Sequence, residues 1–214
     1  MSRVVAITPT LADAVLSIGG TLAHHAALGH EVIVVTVFDH ADDHAVTREL
    51  RDLLGLSGVV RVDVPPATAR GYDSPEGRSS YDGIHDDDED AAAAVGAALA
   101  VTLSSLDPAL ALSPLGLAGH VDARLLNDAL DALAVSRLRW LDLPYALHRT
   151  AGAPLGAGEI IAVPVCEQLD AKLAACDLLE PAVDAPLLRA HAEAEGERLG
   201  AGGPVELLLR RDSD

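Results

Sequence analysis

The chain has 214 residues, a mass of 22.1 kDa and a formal net charge of −18 at pH 7, which suits one domain with a sizeable core. Lys172 is the single lysine and no basic stripe is present, so nucleic-acid binding is disfavoured. No apolar run approaches the roughly 18 uncharged residues of a membrane span, and the N-terminus lacks a signal-peptide layout. These features predict a cytoplasmic protein with neither nucleic acid nor membrane as a partner.

Hydrophobic periodicity predicts strands that alternate with helices along the whole chain. β-Branched and apolar runs predict strands at residues 4–8, 31–38, 59–64, 109–113, 138–143, 160–165 and 205–210. Helical spacing predicts helices at residues 13–28, 46–54, 91–106, 120–133, 166–179 and 186–199. The long polar segment 65–90 is predicted to be a functional loop, because loops of this length are uncommon in compact domains.

This alternation predicts an α/β fold in a single domain, residues 1–214, with a Rossmann-like doubly wound, mostly parallel sheet and helices on both faces. Ligands of such sheets bind at the carboxyl ends of the strands, where the strand order reverses. The segments expected at a binding site are therefore 8–13, 39–44, 65–90 and 113–122.

Two of these segments carry recognisable motifs. TPTLADAVLSIGGTLAHHAALGHEVIVVTVF, residues 8–38, resembles the family opening P-H-x-D-D-x-x-L-x-x-G-G and the helix and strand that follow it. SPLGLAGHVDARLLNDAL, residues 113–130, resembles a later G-H-x-D-H motif at the start of a helix. Both occur in the PIG-L, or LmbE-like, N-acetylglucosaminyl deacetylases. The resemblance covers most of the chain and implies the LmbE-like fold and a deacetylase ancestry.

The resemblance assigns roles to the first motif that its residues cannot all fill. Thr10 stands where relatives have a zinc-binding His, and Ala12 stands where they have the general base. Asp13 matches the zinc-binding Asp of the family. A threonine hydroxyl is a poor zinc donor, and alanine cannot take a proton from water.

The second motif is changed at one position. By resemblance, His120 corresponds to the histidine that stabilises the oxyanion, and Asp122 to the aspartate of the motif. Ala123 replaces the third zinc ligand, and Arg124 follows it in the same pocket. One carboxylate cannot retain a catalytic zinc ion, so we expect neither a metal nor another cofactor and no conventional zinc deacetylase activity.

Two interpretations of the remaining polar groups stay open. His120, Asp122 and Asp13 could form an acid–base group, with Asp122 orienting His120, or they could serve as helix caps. His40 and His44 follow the second strand four residues apart and could hold a relocated metal. A charged surface loop is the alternative for that segment.

Three functions are compatible with this sequence. The first is a metal-independent enzyme of bacterial specialised metabolism, performing cyclisation, elimination or isomerisation on a small molecule in the old deacetylase pocket. The second is a non-catalytic pseudo-deacetylase that binds a ligand or a partner protein. The third is a hydrolase that uses a relocated metal. Self-association into a homo-oligomer is left open.

Overall fold

The computed structural model describes residues 2–39, 44–75, 77–148, 157–179 and 184–211. Seven strands form one sheet in the order β3-β2-β1-β4-β5-β7-β6. The strands are β1 (Arg3–Thr8), β2 (Glu31–Thr36), β3 (Gly58–Arg61), β4 (Leu110–Pro114), β5 (Leu138–Trp140), β6 (Glu159–Pro164) and β7 (Val205–Arg210). The helices are α1 (Leu11–Ala27), α2 (His44–Leu54), α3 (Glu89–Leu106), α4 (Val121–Ala132), α5 (Leu169–Leu179) and α6 (Ala185–Leu199).

The sheet is mostly parallel, as the sequence predicts. β3, β2, β1, β4 and β5 pair in parallel, and β7 pairs antiparallel with both β5 and β6. The order reverses beside β1, because the chain builds β2 and β3 on one side and then crosses to β4 on the other. The carboxyl ends of β1 and β4 therefore flank the crevice in which doubly wound sheets bind ligands.

Alternate residues of the central strand feed two separate cores. Val4 and Ala6 of β1 pack in a cluster with side chains of α1, α5 and α6. Val5 and Ile7 point the other way, into a cluster with side chains of α3 and α4. Since side chains alternate across a strand, a strand that is apolar throughout requires cover on both faces. The predicted helices on both faces are confirmed.

Helix α1 is broken near its middle, beneath the crevice. Ile18 has φ −133° and ψ 21°, outside the helical region. The backbone N–H groups of Gly20 and Thr21 donate to the two carboxylate oxygens of Glu206 on β7, at 3.1 and 2.6 Å. Glu206 is also paired with the ammonium group of Lys172 on α5 at 2.6 Å. A side chain from the far end of the chain thus satisfies donors that the break leaves open.

Helix α3, with the 3₁₀ turn before it, is long and rich in alanine, valine and leucine. By length and composition alone, Asp86–Leu106 could cross a membrane, which the sequence analysis does not expect. Within the fold, α3 packs on α4 and buries one stripe of its surface in the core. The buried residues recur every four positions: Ala91, Val95, Leu99 and Leu103. This spacing is typical of a helix that covers one face of a sheet.

Candidate active site

A cavity of about 190 Å³ opens at the carboxyl ends of β1, β4 and β5. The predicted binding segments 8–13 and 113–122 meet here, and the loop after β5 closes the third side. The cavity has an apolar wall and a group of polar side chains. The lining residues are Pro9, Thr10, Asp13, Ser17, Pro114, Gly116, Ala118, Gly119, His120, Asp122, Ala123, Asp142, Leu143 and Tyr145.

Thr10 and Asp13 form a capping box at the start of α1. The Thr10 hydroxyl accepts a hydrogen bond from the backbone N–H of Asp13 at 3.2 Å. In return, Asp13 Oδ2 accepts from the backbone N–H of Thr10 at 3.0 Å and lies 2.8 Å from its hydroxyl. Burial raises the pKa of Asp13, although the bonds from Thr10 and the nearby His120 oppose the shift. The Asp13 carboxyl group therefore has a structural role while it also lines the cavity.

His120 caps helix α4 with its ring. Its Nδ1 accepts from the backbone N–H of Asp122 at 3.2 Å, so in this arrangement the ring proton belongs on Nε2. Gly119, directly before it, has φ +71°, a left-handed conformation that glycine adopts without strain. The Tyr81 ring meets the His120 ring edge to face at 5.3 Å, and the Tyr81 hydroxyl lies 2.8 Å from that of Tyr145. The His120 ring is thus held at the cavity wall by the helix cap and by Tyr81.

The Asp122 carboxylate is bound to Arg70 rather than to the His120 ring. Its Oδ1 lies 2.9 Å from Nη1 of Arg70, and its Oδ2 accepts from the backbone N–H of Ala67 at 3.1 Å. The sequence-based hypothesis has Asp122 orienting His120 as the carboxylate of an acid–base pair. In the structure Asp122 holds the ring through its backbone N–H, because its carboxylate serves the 65–90 segment.

Arg70 is itself clamped from several sides. Its Nε donates to Asp88 Oδ1 at 2.9 Å, and its guanidinium carbon lies 5.5 Å from the centre of the Phe38 ring and 5.7 Å from that of Tyr72. The Tyr72 hydroxyl donates to Asp88 as well. The long polar segment is therefore attached to Asp122 of the cavity wall by a buried charge network, although none of its described residues is among the cavity lining, so its functional role stays a prediction.

Asp142 and Tyr145 line the cavity but are absent from the site residues predicted from the sequence. The predicted strand 138–143 ends at Trp140, so Asp142 lies in the loop at the rim of the sheet. Its Oδ2 accepts from the backbone N–H of Leu117 at 2.7 Å. Burial raises the pKa of Asp142 to about 6, and the neighbouring Asp13 adds to the shift, while the N–H groups of Leu117 and Gly116 oppose it. The available signal is a lone carboxyl group in the apolar string WLDLPYAL, directly after a strand.

The loop that carries Asp142 is fastened to the broken helix. Ser17 Oγ accepts from the backbone N–H of Leu143 at 3.0 Å, and the Ser17 carbonyl accepts from Lys172 at 3.4 Å. Tyr145, in the turn after this loop, completes the wall. Burial and its contact with Tyr81 raise the pKa of Tyr145, so its phenol stays protonated. Asp142 and Tyr145 are therefore presented to the cavity by a loop with a fixed attachment.

The other predicted pocket residues divide between the cavity and its surroundings. Ala123 lines the cavity, whereas Ala12 is not among its lining residues. Arg124 is exposed, and its guanidinium lies beside Gly119 and Gly83, outside the lining. The prediction that Arg124 faces the old pocket therefore stays a prediction, because its guanidinium lies beside the glycines at the rim and not in the lining.

The segment after β2 contributes little to the cavity in the described residues. His44 begins α2, is exposed, and borders a separate shallow cavity with Arg48, Arg51 and Arg61 among its other lining residues. His40 lies outside the described residues. Asp39, just before it, accepts from the backbone N–H of Leu11 at the start of α1. A relocated metal site at the two histidines stays a hypothesis.

The cavity has few side chains that could bind zinc. Thr10, Asp13 and Ala123, the positions that the resemblance assigns to zinc, all line the cavity. They offer a hydroxyl, one carboxylate and a methyl group, and that carboxylate already accepts hydrogen bonds from Thr10. In the ranges that the structure covers, no three His, Cys, Asp or Glu side chains lie together as metal ligands. The residues present do not fit a three-ligand zinc site.

Comparison with known proteins identifies the architecture. No protein-family model matches the sequence, and no curated protein is significantly similar to it. Among solved structures, the teicoplanin deacetylase Orf2 in its zinc-inhibited form superposes with a TM-score of 0.74 at 23% identity, over 100% of both chains. The N,N'-diacetylchitobiose deacetylase of Pyrococcus horikoshii gives 0.60 at 21% identity, over 98% of this chain and 84% of that one.

A third neighbour is named for different chemistry. GalB, the 4-carboxy-2-hydroxymuconate hydratase of Pseudomonas putida, gives a TM-score of 0.58 at 15% identity, over 98% of this chain and 95% of that one. At these identities the likeness concerns the backbone arrangement. The structural neighbours nevertheless agree with the two sequence motifs: this chain has the α/β fold of the LmbE/PIG-L-like deacetylases.

Proposed function

We propose that this protein is a metal-independent enzyme that transfers protons to and from a small molecule bound in the cavity. The observation that carries the proposal is that three titratable groups, Asp13, His120 and Asp142, line one cavity at the carboxyl ends of β1, β4 and β5. Proton transfer by positioned side chains needs no metal when the reaction is a cyclisation, an elimination or an isomerisation.

Asp142 is the best acid–base group of the three. A general acid or base works best when its pKa lies near the working pH, and burial brings the pKa of Asp142 to about 6. Two backbone N–H groups hold the carboxyl group in place without neutralising it. Near neutral pH the carboxylate form dominates, so Asp142 acts first as a base and returns the proton later in the cycle.

His120 and Tyr145 supply hydrogen bonds in this scheme. His120 is fixed with its proton on Nε2, because Nδ1 accepts from the α4 backbone. An imidazole N–H can stabilise an oxygen that gains negative charge during the reaction. The Tyr145 phenol keeps its proton and can donate likewise. The roles predicted for His120 and Asp122 are thus redistributed: Asp142 moves the proton, and His120 stabilises charge.

The fold neighbours support both the chemistry and its setting. One neighbour is named a hydratase, so this fold is not confined to deacetylation. Another solved structure is described as a deacetylase in the biosynthesis pathway of teicoplanin. We therefore extend the proposal to specialised metabolism in the bacterial cytoplasm, with a small molecule as the partner and without nucleic acid or membrane.

The proposal is tested by following products with and without metal. The protein is dialysed against a chelator and incubated with a collection of small N-acylated amines, amino alcohols and unsaturated amines. Mass spectrometry then separates acetate release from loss of water, gain of water, and change of structure at constant mass. We expect loss of water, gain of water or a change of structure at constant mass, without acetate release. The chelator should leave this turnover unchanged. Asp142→Asn is expected to lower it by about 10²- to 10⁴-fold.

Two matched variants guard this experiment. Asp128→Asn changes an exposed carboxylate on α4, and His24→Ala changes a histidine near the end of α1, both outside the cavity lining. Neither should alter turnover, whereas His120→Ala should reduce it. Acetate release that requires added zinc would contradict the proposal, as would full turnover in Asp142→Asn.

A non-catalytic role is the second candidate, and one observation favours it. Asp13 and His120 both cap helices, and Asp122 is bound in the charge network of Arg70. If capping is the whole role of these residues, their substitution lowers stability and leaves biological activity intact. Purification of the tagged protein from its native host, followed by mass spectrometry, would then show one stoichiometric partner.

A further inference from the structure

We propose that the shallow cavity between α2 and the edge strand β3 binds the phosphate groups of a small diphosphate. This site is separate from the candidate active site, and the inference does not rest on the proposed function. It depends on three observations: the charge of the cavity lining, the absence of carboxylate partners for two arginines of α2, and the neutral groups that hold the arginines in place.

The lining of this cavity is cationic, although the chain as a whole carries a net charge of −18. The cavity has a volume of about 320 Å³, and its described lining contains three arginines and no carboxylate. The described lining residues are His44, Thr47, Arg48, Arg51, Val59 and Arg61. The first turn of α2, where the helix dipole is positive, also lacks an acidic residue. An anion is therefore attracted to this cavity, whereas the acidic surface elsewhere repels it.

Helix α2 presents its arginines to the cavity without pairing them with its own carboxylates. One face of the helix lines the cavity, and its residues lie three or four positions apart: His44, Thr47, Arg48 and Arg51. Arg48 could pair with Asp52, four positions later in the same helix. In the part of the chain that the structure describes, however, neither Arg48 nor Arg51 forms an ion pair with a carboxylate. Both side chains are exposed, so an anion from solution can reach them.

Neutral acceptors hold two of the arginines in place. Nη2 of Arg61 donates to Thr47 Oγ1 at 3.0 Å, which joins the end of β3 to α2. Nη2 of Arg51 donates to the backbone carbonyl of Ser57 at 2.9 Å. Neither acceptor carries a charge, so neither neutralises the guanidinium group that it positions. Groups that are positioned in advance lose less conformational entropy when a ligand binds.

The side chains of the lining indicate which anion fits. A planar guanidinium group can bind two oxygens of a phosphate group at once. A single phosphate group presents three acceptor oxygens, so three arginines are better matched by a diphosphate. Val59 is the single aliphatic side chain of the described lining, and the cavity is shallow. The phosphate groups therefore make the contact, and any organic part of the ligand stays in solvent.

The experiment compares inorganic pyrophosphate with inorganic phosphate and with sodium chloride of equal ionic strength. Each is titrated into the protein at pH 7.5 and low salt, and binding is followed by calorimetry and by chemical-shift changes. We expect pyrophosphate to bind with a dissociation constant of about 1 mM or lower, and phosphate to bind more weakly. Added salt should weaken the binding, because it screens exposed charges.

Variants locate the binding on α2. Arg48→Gln should weaken pyrophosphate binding about fivefold, and its combination with Arg51→Gln should abolish it. Arg211→Gln is the matched control, since Arg211 lines a different cavity together with Arg137 and Arg139. Circular dichroism establishes that each variant is folded. Absence of pyrophosphate binding, full binding in the double variant, or loss of binding in Arg211→Gln would each overturn the inference. Tighter binding of a short DNA oligonucleotide than of pyrophosphate would overturn it as well.

Discussion

Two neighbouring regions of this protein bury carboxylates in opposite ways. Beneath the cavity, Glu206 is paired with Lys172 at 2.6 Å and its oxygens accept from the broken helix α1. At the cavity itself, Asp142 has backbone N–H donors and no described cation. Isolated buried charges are costly, so a fold normally pairs them. The Glu206 carboxylate therefore stabilises the fold. The Asp142 carboxyl group has a raised pKa, and perturbed pKa values are typical of functional sites.

The largest loss of stability is expected when the buried pair of Lys172 and Glu206 is broken. Lys172→Met leaves Glu206 buried without a counter-charge, so the free energy of unfolding should fall by about 3–5 kcal/mol. Urea denaturation at pH 7 measures the loss. Arg189→Met is the matched control, because Arg189 pairs with Asp170 at the surface and should contribute at most about 1 kcal/mol. Equal effects of the two variants would contradict the structural role of the buried pair.

A smaller effect on the free energy of unfolding, of opposite sign, is expected at Asp142. The pKa of Asp142 in the folded protein, about 6, lies above its unfolded value, so the folded state binds the proton more tightly. Stability is therefore lost as pH rises from about 4 to above 6, by roughly 3 kcal/mol for a shift of this size. Asp142→Asn removes this loss, while its side-chain oxygen can still accept from Leu117.

Denaturation curves from pH 4 to pH 8 test this sign. The Asn variant should match the parent protein near pH 4 and exceed it in stability at pH 8, while Asp128→Asn shows no such divergence. A gain in stability with a loss of turnover is the expected pattern when a site residue is strained by its role. If Asp142→Asn is destabilising at pH 8, the Asp142 carboxylate stabilises the fold. The contrast drawn between Asp142 and Glu206 would then be wrong.

The smallest effect on stability is expected at the capping box that Thr10 forms with Asp13. Thr10→Ala removes the hydroxyl from the capping box, which should cost about 0.5–2 kcal/mol of unfolding free energy. Thr10→Ser keeps the hydroxyl and should be nearly neutral. Thermal denaturation of both variants measures the difference. An alanine variant as stable as the serine variant would show that Asp13 does not depend on Thr10.

The alternation of strands and helices could be predicted, because the interiors of β1 and β2 are runs of apolar residues and most helices carry an apolar stripe. The position of β7 could not, since nothing local in VELLLR indicates an antiparallel partner on each side. The break in α1 at Ile18 was equally hidden. The Gly20 N–H donor and the Glu206 acceptor, which stabilise the break, are 186 residues apart in the sequence.

The candidate site was predictable only where residues lie next to strand ends in recognisable motifs. Asp13, His120 and Asp122 were found in this way, but their partners were not, because Arg70 reaches Asp122 from the long polar segment. Asp142 stood within a predicted strand, and only the early end of β5 at Trp140 places it at the rim. Its significance depends on burial, which single-sequence patterns do not reveal.

The attachment of Glu206 to the break in α1 couples the two ends of the chain. The first helix cannot satisfy its inner amide groups until the last strand of the sheet has joined, and that strand also separates β5 from β6. Detachment of β7 would therefore expose these amide groups and leave Lys172, which also donates to the Ser17 carbonyl, without its partner Glu206. Fraying of the last strand is therefore expected to loosen the first helix beneath the cavity as well.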